Sequence, residues 1–369
     1  MSAAPEQVLL RDPHRYIAHP HMACLADGRW LLVATSAPRR STTLHPPLDP
    51  EFITIAIRSE DEGRTWSPPA PAPAFGYCGA ECAGLTALAD GAVLLNQWRF
   101  RWYGDGDSPD DPSEPLTDAD TLRIALRRST ELDGVGQPDP IAWSRGGGTA
   151  TIWRSHDGGR RWREPVALKL DPYSGGYGVR GGVTFSDGEV LLPLCDAPRY
   201  ANVFLVRSLD DGRSWSAPAP VAPADGKQFE EPAVLALDDE RLLMLLRENT
   251  ARRLFVTRSL DRGDTWSPPA PVEIAGYPAH LFRCRDGRIA AVTGIRTPPG
   301  AIQLTVSHDE GQSWNWADAV DVAGNLGTHD LGYPTAVTTG DGGVFVAYYR
   351  RDQEGVTGVY ARRLSPGEI

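Results

Sequence analysis

At 369 residues the chain has the length of two or three ordinary domains, and 41% hydrophobic residues supply ample material for packed sheets, which excludes a disordered chain. A formal net charge of −11 argues against nucleic acid or an anionic membrane as the main partner, because both require a basic surface. Met1-Ser-Ala-Ala-Pro-Glu-Gln-Val8 lacks a basic segment followed by an apolar core, and no later run has the length of a membrane span, so a soluble, cytoplasmic protein is expected.

In chain order the first element is a short apolar run, an Asp-Gly turn and a second apolar run, from His21 to Val33. The phrase returns from Gly84 to Leu95, Gly182 to Leu192, Ala233 to Met244, Leu281 to Ala291 and Ala336 to Val346, which predicts six hairpins. A third strand follows, as in Phe52-Ile-Thr-Ile-Ala-Ile57 or Asn202-Val-Phe-Leu-Val206, and leads into a recurring box. The five boxes are Ser59 to Trp66, Ser155 to Trp162, Ser208 to Trp215, Ser259-Leu-Asp-Arg-Gly-Asp-Thr-Trp266, and Ser307 to Trp314. Each has hairpin-turn chemistry: Asp accepts from backbone N–H groups just ahead of it, Gly supplies a positive φ, and Trp folds back over the turn. Their period of roughly 50 residues marks a repeat array, which overrides the length prior. Four antiparallel strands per unit and six units predict an all-β, six-bladed propeller folding as a single domain over 1–369.

The sixth unit ends at Gly355-Val-Thr-Gly-Val-Tyr-Ala-Arg-Arg-Leu364 without a box, so residues before Arg15 are expected to supply its outer strand and close the ring. An insertion at about 101–148, rich in Asp, Pro and Gly, separates strands two and three of the second unit, with Leu122 to Arg128 its ordered-looking piece; it reads as a surface loop or as a lid. Strand count puts the Asp-Gly turns and the boxes on one face. The insertion, the Pro-rich loop from Ala37 to Pro50 and the starts of the inner strands share the other, which is the expected functional face. Cys24, Cys78, Cys82, Cys195 and Cys284 are odd in number and form no CxxC pair, so buried thiols are expected rather than a disulfide framework or zinc knuckle.

Aligning the hairpins on Asp27, Asp90, Asp187, Asp239, Asp286 and Asp341 places His19, Cys82, Val179, Glu231, Pro278 and Tyr333 eight positions earlier, as the last residues before the inner strands enter the channel. Glu81, Arg180, Glu230 and His280 stand nearby. Trp98, Arg99, Cys195, Asp196, Arg247, Arg296 and Tyr349 lie at the far ends of the second strands on the same face. Converging Glu, Tyr and Arg suit an anionic or polyhydroxylated ligand, because Arg gives a rigid bidentate clamp and Tyr with Glu gives a nucleophile with its base. The plain alternative is that these side chains cap strand ends in solvent. His19 and His21, two apart on one strand face, and His280, aligned with His21, raise a zinc site beside the reading as satisfied or solvated histidines. No metal or other cofactor is expected.

The five boxes resemble the Asp-box, or BNR, repeats of the sialidase (neuraminidase) superfamily, and the resemblance covers essentially the whole chain. The segment from Phe229 to Arg247 is similar to the one that carries the catalytic Glu and the second carboxylate-binding Arg, which implies those roles for Glu231 and Arg247. Arg296 falls where the third Arg would be, and Asp330-Leu-Gly-Tyr333-Pro is similar to the segment of the nucleophilic Tyr. Asp49 precedes the third strand of the first unit, as the family's acid/base Asp does. The resemblance implies an exo-acting retaining glycosidase that removes a terminal acidic sugar, with Tyr333, Glu231 and Asp49 catalytic. Arg247, Arg296, Arg15, His19, Glu81, Arg180, Trp98 and His280 are the candidates for contacting a carbohydrate substrate. A carboxylate on the anomeric carbon would repel a carboxylate nucleophile; a neutral Tyr deprotonated by Glu avoids this, so sialidases depart from the two-carboxylate rule. One departure stands out: Ala18 and His19 occupy the place of the family's opening Arg-Ile-Pro type segment, with Arg15 the nearest arginine. A different acidic sugar or a neutral one therefore stays open, as do a non-catalytic carbohydrate-binding propeller and a lyase or hydrolase acting on another sugar.

Overall fold

The computed structural model describes residues 5–39, 52–73, 80–104, 143–173, 175–197, 200–222 and 226–369. Each of the six aligned Asp-Gly or Asp-Asp turns closes a hairpin, with the same main-chain bond at its base: Leu25 to Arg29, Leu88 to Ala92, Phe185 to Glu189, Leu237 to Arg241, Cys284 to Arg288 and Thr339 to Gly343. A third and a fourth strand add outward.

Four units form separate four-stranded antiparallel sheets. The first comprises Arg15–Cys24, Trp30–Pro38, Ile53–Ser59 and Ala70–Pro71. Phe229–Ala236, Leu242–Glu248, Arg253–Ser259 and Ala270–Pro271 form another, and His280–Arg283, Ile289–Ile295, Ala301–Ser307 and Val320–Ala323 a third. The last contains Leu331–Thr338, Val344–Arg351 and Thr357–Leu364, and its outer strand is Gln7–Leu10, antiparallel to Thr357–Leu364, the closure expected from the sequence.

The expectation of six separate blades requires correction. The second and third units are fused into one nine-stranded sheet, joined by a parallel pairing of Gly175 with Thr149. The cause is local. The inner strand of the third unit is broken into Gly175–Tyr177 and Val183–Thr184, and Gly175 and Gly176 take φ of 76° and 74°. That conformation suits glycine, and a Cβ on Gly176 would stand 2.8 Å from the Ala150 Cβ. The first fragment therefore lies against Trp143–Ser155 as well as against Val190–Asp196. The result is an all-β, propeller-like arrangement of small antiparallel sheets, whose helical elements among the described residues are two 3₁₀ turns, Trp316–Asp318 and Pro366–Glu368.

The apolar core consists of seams between successive units. Leu25, Leu31 and Val33 pack on Leu85, Val93 and Leu95; Leu94 and Ile152 on Leu192 and Phe204; Leu243 and Leu245 on Ile289 and Ala291; Val292 and Leu304 on Val344 and Val346. The ring returns on itself where Trp30 meets Phe345 with centroids 5.3 Å apart. Because second strands have a neighbouring sheet on both faces, Val190–Asp196 is buried throughout.

The boxes form as their chemistry predicts. In the fourth unit Asp261 Oδ1 accepts from Thr265 N (2.9 Å) and Ser259 Oγ (2.7 Å), Gly263 has φ 86°, and Trp266 Nε1 donates to Gly263 O (3.1 Å). The buried Trp162 indole N–H departs from the pattern and makes no such bond. An arginine from the preceding unit docks onto every box: Arg58 on Gly158 and Gly159, Arg154 on Asp211, Arg207 on Arg262, Arg258 on Gly311 and Arg363 on Glu62, each through main-chain carbonyls. Box ends of the third strands pair with turn ends of the second, as Ser59 does with Trp30, so boxes and Asp-Gly turns share a face as expected.

The insertion begins and ends as strand, since Val93–Gly104 pairs with Trp143–Ser155; its remainder, including Leu122 to Arg128, lies outside the described residues. Cys82, Cys195 and Cys284 are buried, whereas Cys24 is exposed at a hairpin end, contrary to expectation.

Candidate active site

The residues eight positions ahead of the turns do not precede the inner strands; they sit inside them. His19, Cys82, Glu231 and Tyr333 each take a positive φ (52°, 44°, 50° and 46°) at a break in ladder register, between Ala18 and His21, Glu81 and Ala83, Glu230 and Ala233, and Gly332 and Thr335. A bulge with a left-handed non-glycine residue is costly, and four at equivalent positions mark a site that the surrounding structure over-determines. Val179 and Pro278 occupy the equivalent places where the inner strand is broken or has not yet begun.

The bulges bring Tyr333 and Glu231 together. Tyr333 Oη donates to Glu231 Oε1, and Arg247 Nη1 donates to Glu231 Oε2 at 2.9 Å. Arg247 Nε lies 3.2 Å from Glu230 Oε1, an ion-pair contact without hydrogen-bond alignment, and its guanidinium stacks 4.5 Å over Tyr277. Burial works against the Arg247 charge, but Glu231 and Glu230 more than offset it and hold its pKa above the ordinary value. Burial, then the Glu231 charge, pushes the Tyr333 phenol well above its ordinary pKa, against the pull of Arg296 and Arg247. Tyr333 therefore rests as a neutral phenol bonded to a carboxylate that arginine holds in place.

Arg296 flanks the pair. Its Nε donates to Leu331 O (3.0 Å), its guanidinium lies 5.5 Å from the Tyr333 ring, and Nη2 is 3.5 Å from Tyr349 Oη. His19 packs against the same two tyrosines, edge-on to Tyr333 at 4.5 Å and to Tyr349 at 5.5 Å. Thr35 Oγ1 donates to Ala18 O (3.2 Å), so it accepts from His19 Nδ1 (3.0 Å), which puts the imidazole proton on Nδ1. Burial, with the Arg296 and Arg180 charges, lowers the His19 pKa to about 3 and keeps the ring neutral.

Other candidates fall differently. Arg15 is engaged at the strand end by Ser36, through Oγ (3.0 Å) and O (3.2 Å). Arg180 is buried and directed at main-chain carbonyls. Trp98 is buried against Tyr177, whose Oη is 3.3 Å from Cys82 Sγ. His19 and His21 were expected on one strand face, but the bulge between them breaks the alternation. His21 instead meets His280, ring to ring at 5.4 Å, as their alignment implied. Each of these two accepts a backbone N–H at Nδ1, from Leu85 (2.9 Å) and Ala336 (3.0 Å). Among the described residues no three His, Cys, Asp or Glu groups are placed to hold a metal ion. Asp49 and the Glu81 side chain lie outside the described residues. Tyr277 under Arg247 and Thr35 behind His19 escaped sequence reasoning; Tyr277 stands one residue before the aligned Pro278, so a wider window would have caught it.

The BNR repeat-like domain family matches residues 136–346, more than half of the chain. This chain belongs to that family. A sialidase from Bacteroides fragilis (strain YCH46) is 26% identical to this BNR-repeat protein over 237 residues, 59% of this chain and 38% of that one, so the match spans well under half of the relative's length. Among solved structures, a protein of unknown function from Dyadobacter fermentans DSM 18053 superposes with a TM-score of 0.80 at 23% identity, covering 99% of this chain and 98% of the other. The NanB sialidase from Streptococcus pneumoniae gives 0.71 at 14% identity, covering 99% and 71%. A Penicillium chrysogenum α-L-arabinanase complexed with arabinobiose gives 0.62 at 12%, covering both chains fully. At these identities the structures establish a shared fold, one that carries more than one kind of glycosidase.

Proposed function

We propose that this BNR-repeat protein is a retaining exo-glycosidase of sialidase type that removes a terminal acidic sugar from a carbohydrate substrate. The observation that carries this reading is the hydrogen bond from Tyr333 Oη to Glu231 Oε1, with Arg247 orienting the carboxylate. Tyr333 attacks the anomeric carbon while Glu231 takes the phenolic proton, and Asp49 protonates the departing oxygen. Water that gives a proton to Asp49 then attacks the anomeric carbon and breaks the glycosyl–tyrosine bond, while Glu231 returns its proton to Tyr333, giving net retention. Arg296 and Arg247 face the sugar's carboxylate. In this reading the nine-stranded sheet counts as two blades linked by one parallel residue pair, which makes a single six-bladed domain carrying an insertion at about 101–148 in its second unit.

A hydrolase of a different sugar is favoured by a specific observation: Arg247 already pairs with Glu230 and Glu231, and the neutral His19 stands where an arginine would meet a carboxylate. A purely carbohydrate-binding propeller gains nothing from the Tyr–Glu contact, which costs the burial of both groups. The test is a panel of chromogenic α-sialosides, uronides and neutral glycosides, with Tyr333→Phe and Glu231→Gln beside wild type. Sialoside turnover that falls about 10²–10⁴-fold in Glu231→Gln, and is lost in Tyr333→Phe, supports the proposal. Turnover undiminished in Tyr333→Phe overturns the nucleophile, and cleavage restricted to neutral glycosides moves the substrate class.

A further inference from the structure

Arg180 lies in the gap between Gly175–Tyr177 and Val183–Thr184 and is 2% exposed. Its guanidinium crosses the channel to main-chain carbonyls of three other units: Nε to Ala279 O (3.0 Å), Nη2 to Pro334 O (2.9 Å) and Nη1 to Pro20 O (3.5 Å). Pro20 and Pro334 directly follow His19 and Tyr333, inside the bulges where the ladder breaks; Ala279 directly precedes the strand His280–Arg283. Carbonyls released from a ladder and buried need donors from elsewhere. A planar guanidinium with five donors in fixed directions can serve three at once, whereas an ammonium cannot span them.

The second and third units are shaped for this crossing. A Cβ on Gly84 would stand 2.1 Å from the Arg180 carbonyl oxygen, and one on Gly181 would stand 1.9 Å from Leu85 O. Only glycine at both places lets the two inner strands close up and deliver Arg180 to the axis.

We propose that Arg180 is a positioning residue: it holds the backbone of the bulges that carry His19 and Tyr333, thereby setting Tyr333 Oη against Glu231, and it does not bind substrate. The proposal rests on the reading of Tyr333 as nucleophile.

The test compares Arg180→Met and Arg180→Lys with wild type in kcat and KM on the chromogenic glycoside that wild type turns over best. A second readout needs no turnover: the rate at which Ellman's reagent labels Cys82, mapped by mass spectrometry. Expected are a kcat loss of ~100-fold in Arg180→Met with KM within about 3-fold, and a smaller kcat loss in Arg180→Lys. Cys82 should label at least about ten-fold faster in both variants as the bulges loosen. A rise in KM with kcat retained would make Arg180 a substrate contact and overturn the proposal, as would unchanged kcat in both variants. Should Arg180→Met fail to fold, Arg180→Lys decides by the same criteria. If wild type cleaves no glycoside, the glycosidase reading fails on its own, and unchanged Cys82 labelling in Arg180→Lys then separately overturns the positioning role.

Discussion

Arg247 illustrates how much rests on single groups at this site. It faces two carboxylates that are themselves buried, Glu230 at 7% and Glu231 at 2% exposure. Replacing it with leucine removes the cation that the two share, and stripping one partner from a buried ionic cluster costs about 3–5 kcal/mol. Urea unfolding of Arg247→Leu should show a loss of that order, with Arg247→Lys closer to wild type; a loss below about 1 kcal/mol in Arg247→Leu would mean that the cluster is better solvated than its burial implies. At this scale the sequence was legible wherever spacing from a turn fixes position. Counting back from the Asp turns finds His19, Cys82, Glu231 and Tyr333 because four of the six inner strands repeat one bulge. The count could not say where Arg180 points, since its partners Pro20, Ala279 and Pro334 belong to other sheets and a periodic pattern holds no information about contacts across the axis.

Among the elements, the boxes do two jobs. Internally Asp and Trp lock the turn between strands three and four; externally the box's carbonyls receive the arginine of the preceding unit. Arg258→Met removes the donor to Gly311 O and should lower stability by about 1–3 kcal/mol without touching the mouth, so turnover per folded molecule should be unchanged. Gly84→Ala belongs at the same scale: its Cβ would collide with backbone, not with a yielding side-chain tip, and a loss of about 3 kcal/mol or more in thermal or urea unfolding is expected. The turn chemistry of boxes and hairpins was readable because Asp, Gly and Trp act on residues within a few positions of themselves. The fused nine-stranded sheet was not, because it follows from the backbone conformation of Gly175 and Gly176 and from the pairing of Gly175 with Thr149 in another unit.

Across the whole molecule, the histidines of the channel tie stability to pH. His19 titrates at about 3, and His21 and His280 well below their ordinary value, because burial comes first and neighbouring positive charge adds to it. As pH falls below about 6.5 the unfolded chain takes up protons that the folded chain refuses, so this stability is complete above that value and drains toward pH 3. Each such histidine contributes a slope of about 1.4 kcal/mol per pH unit well below 6.5. Urea unfolding at pH 7, 6 and 5 should show the decline, and His21→Asn should make it shallower; a pH-independent free energy across that window would mean that the channel histidines take up protons in the fold as readily as in the unfolded chain.

The ring closure between Gln7–Leu10 and Thr357–Leu364 also governs how the chain comes to be folded. A ribosome releases the first of these strands about 350 residues before its partner exists. Through most of synthesis, therefore, the nascent chain carries a strand with no mate, and the seam between the first and last units, where Trp30 meets Phe345, stays open. Such an unpaired edge invites strand exchange between neighbouring copies on a polysome. Final assembly therefore waits until the last unit has been made, and the yield of soluble protein should respond to translation speed and to chaperone supply more than to changes in the outer loops.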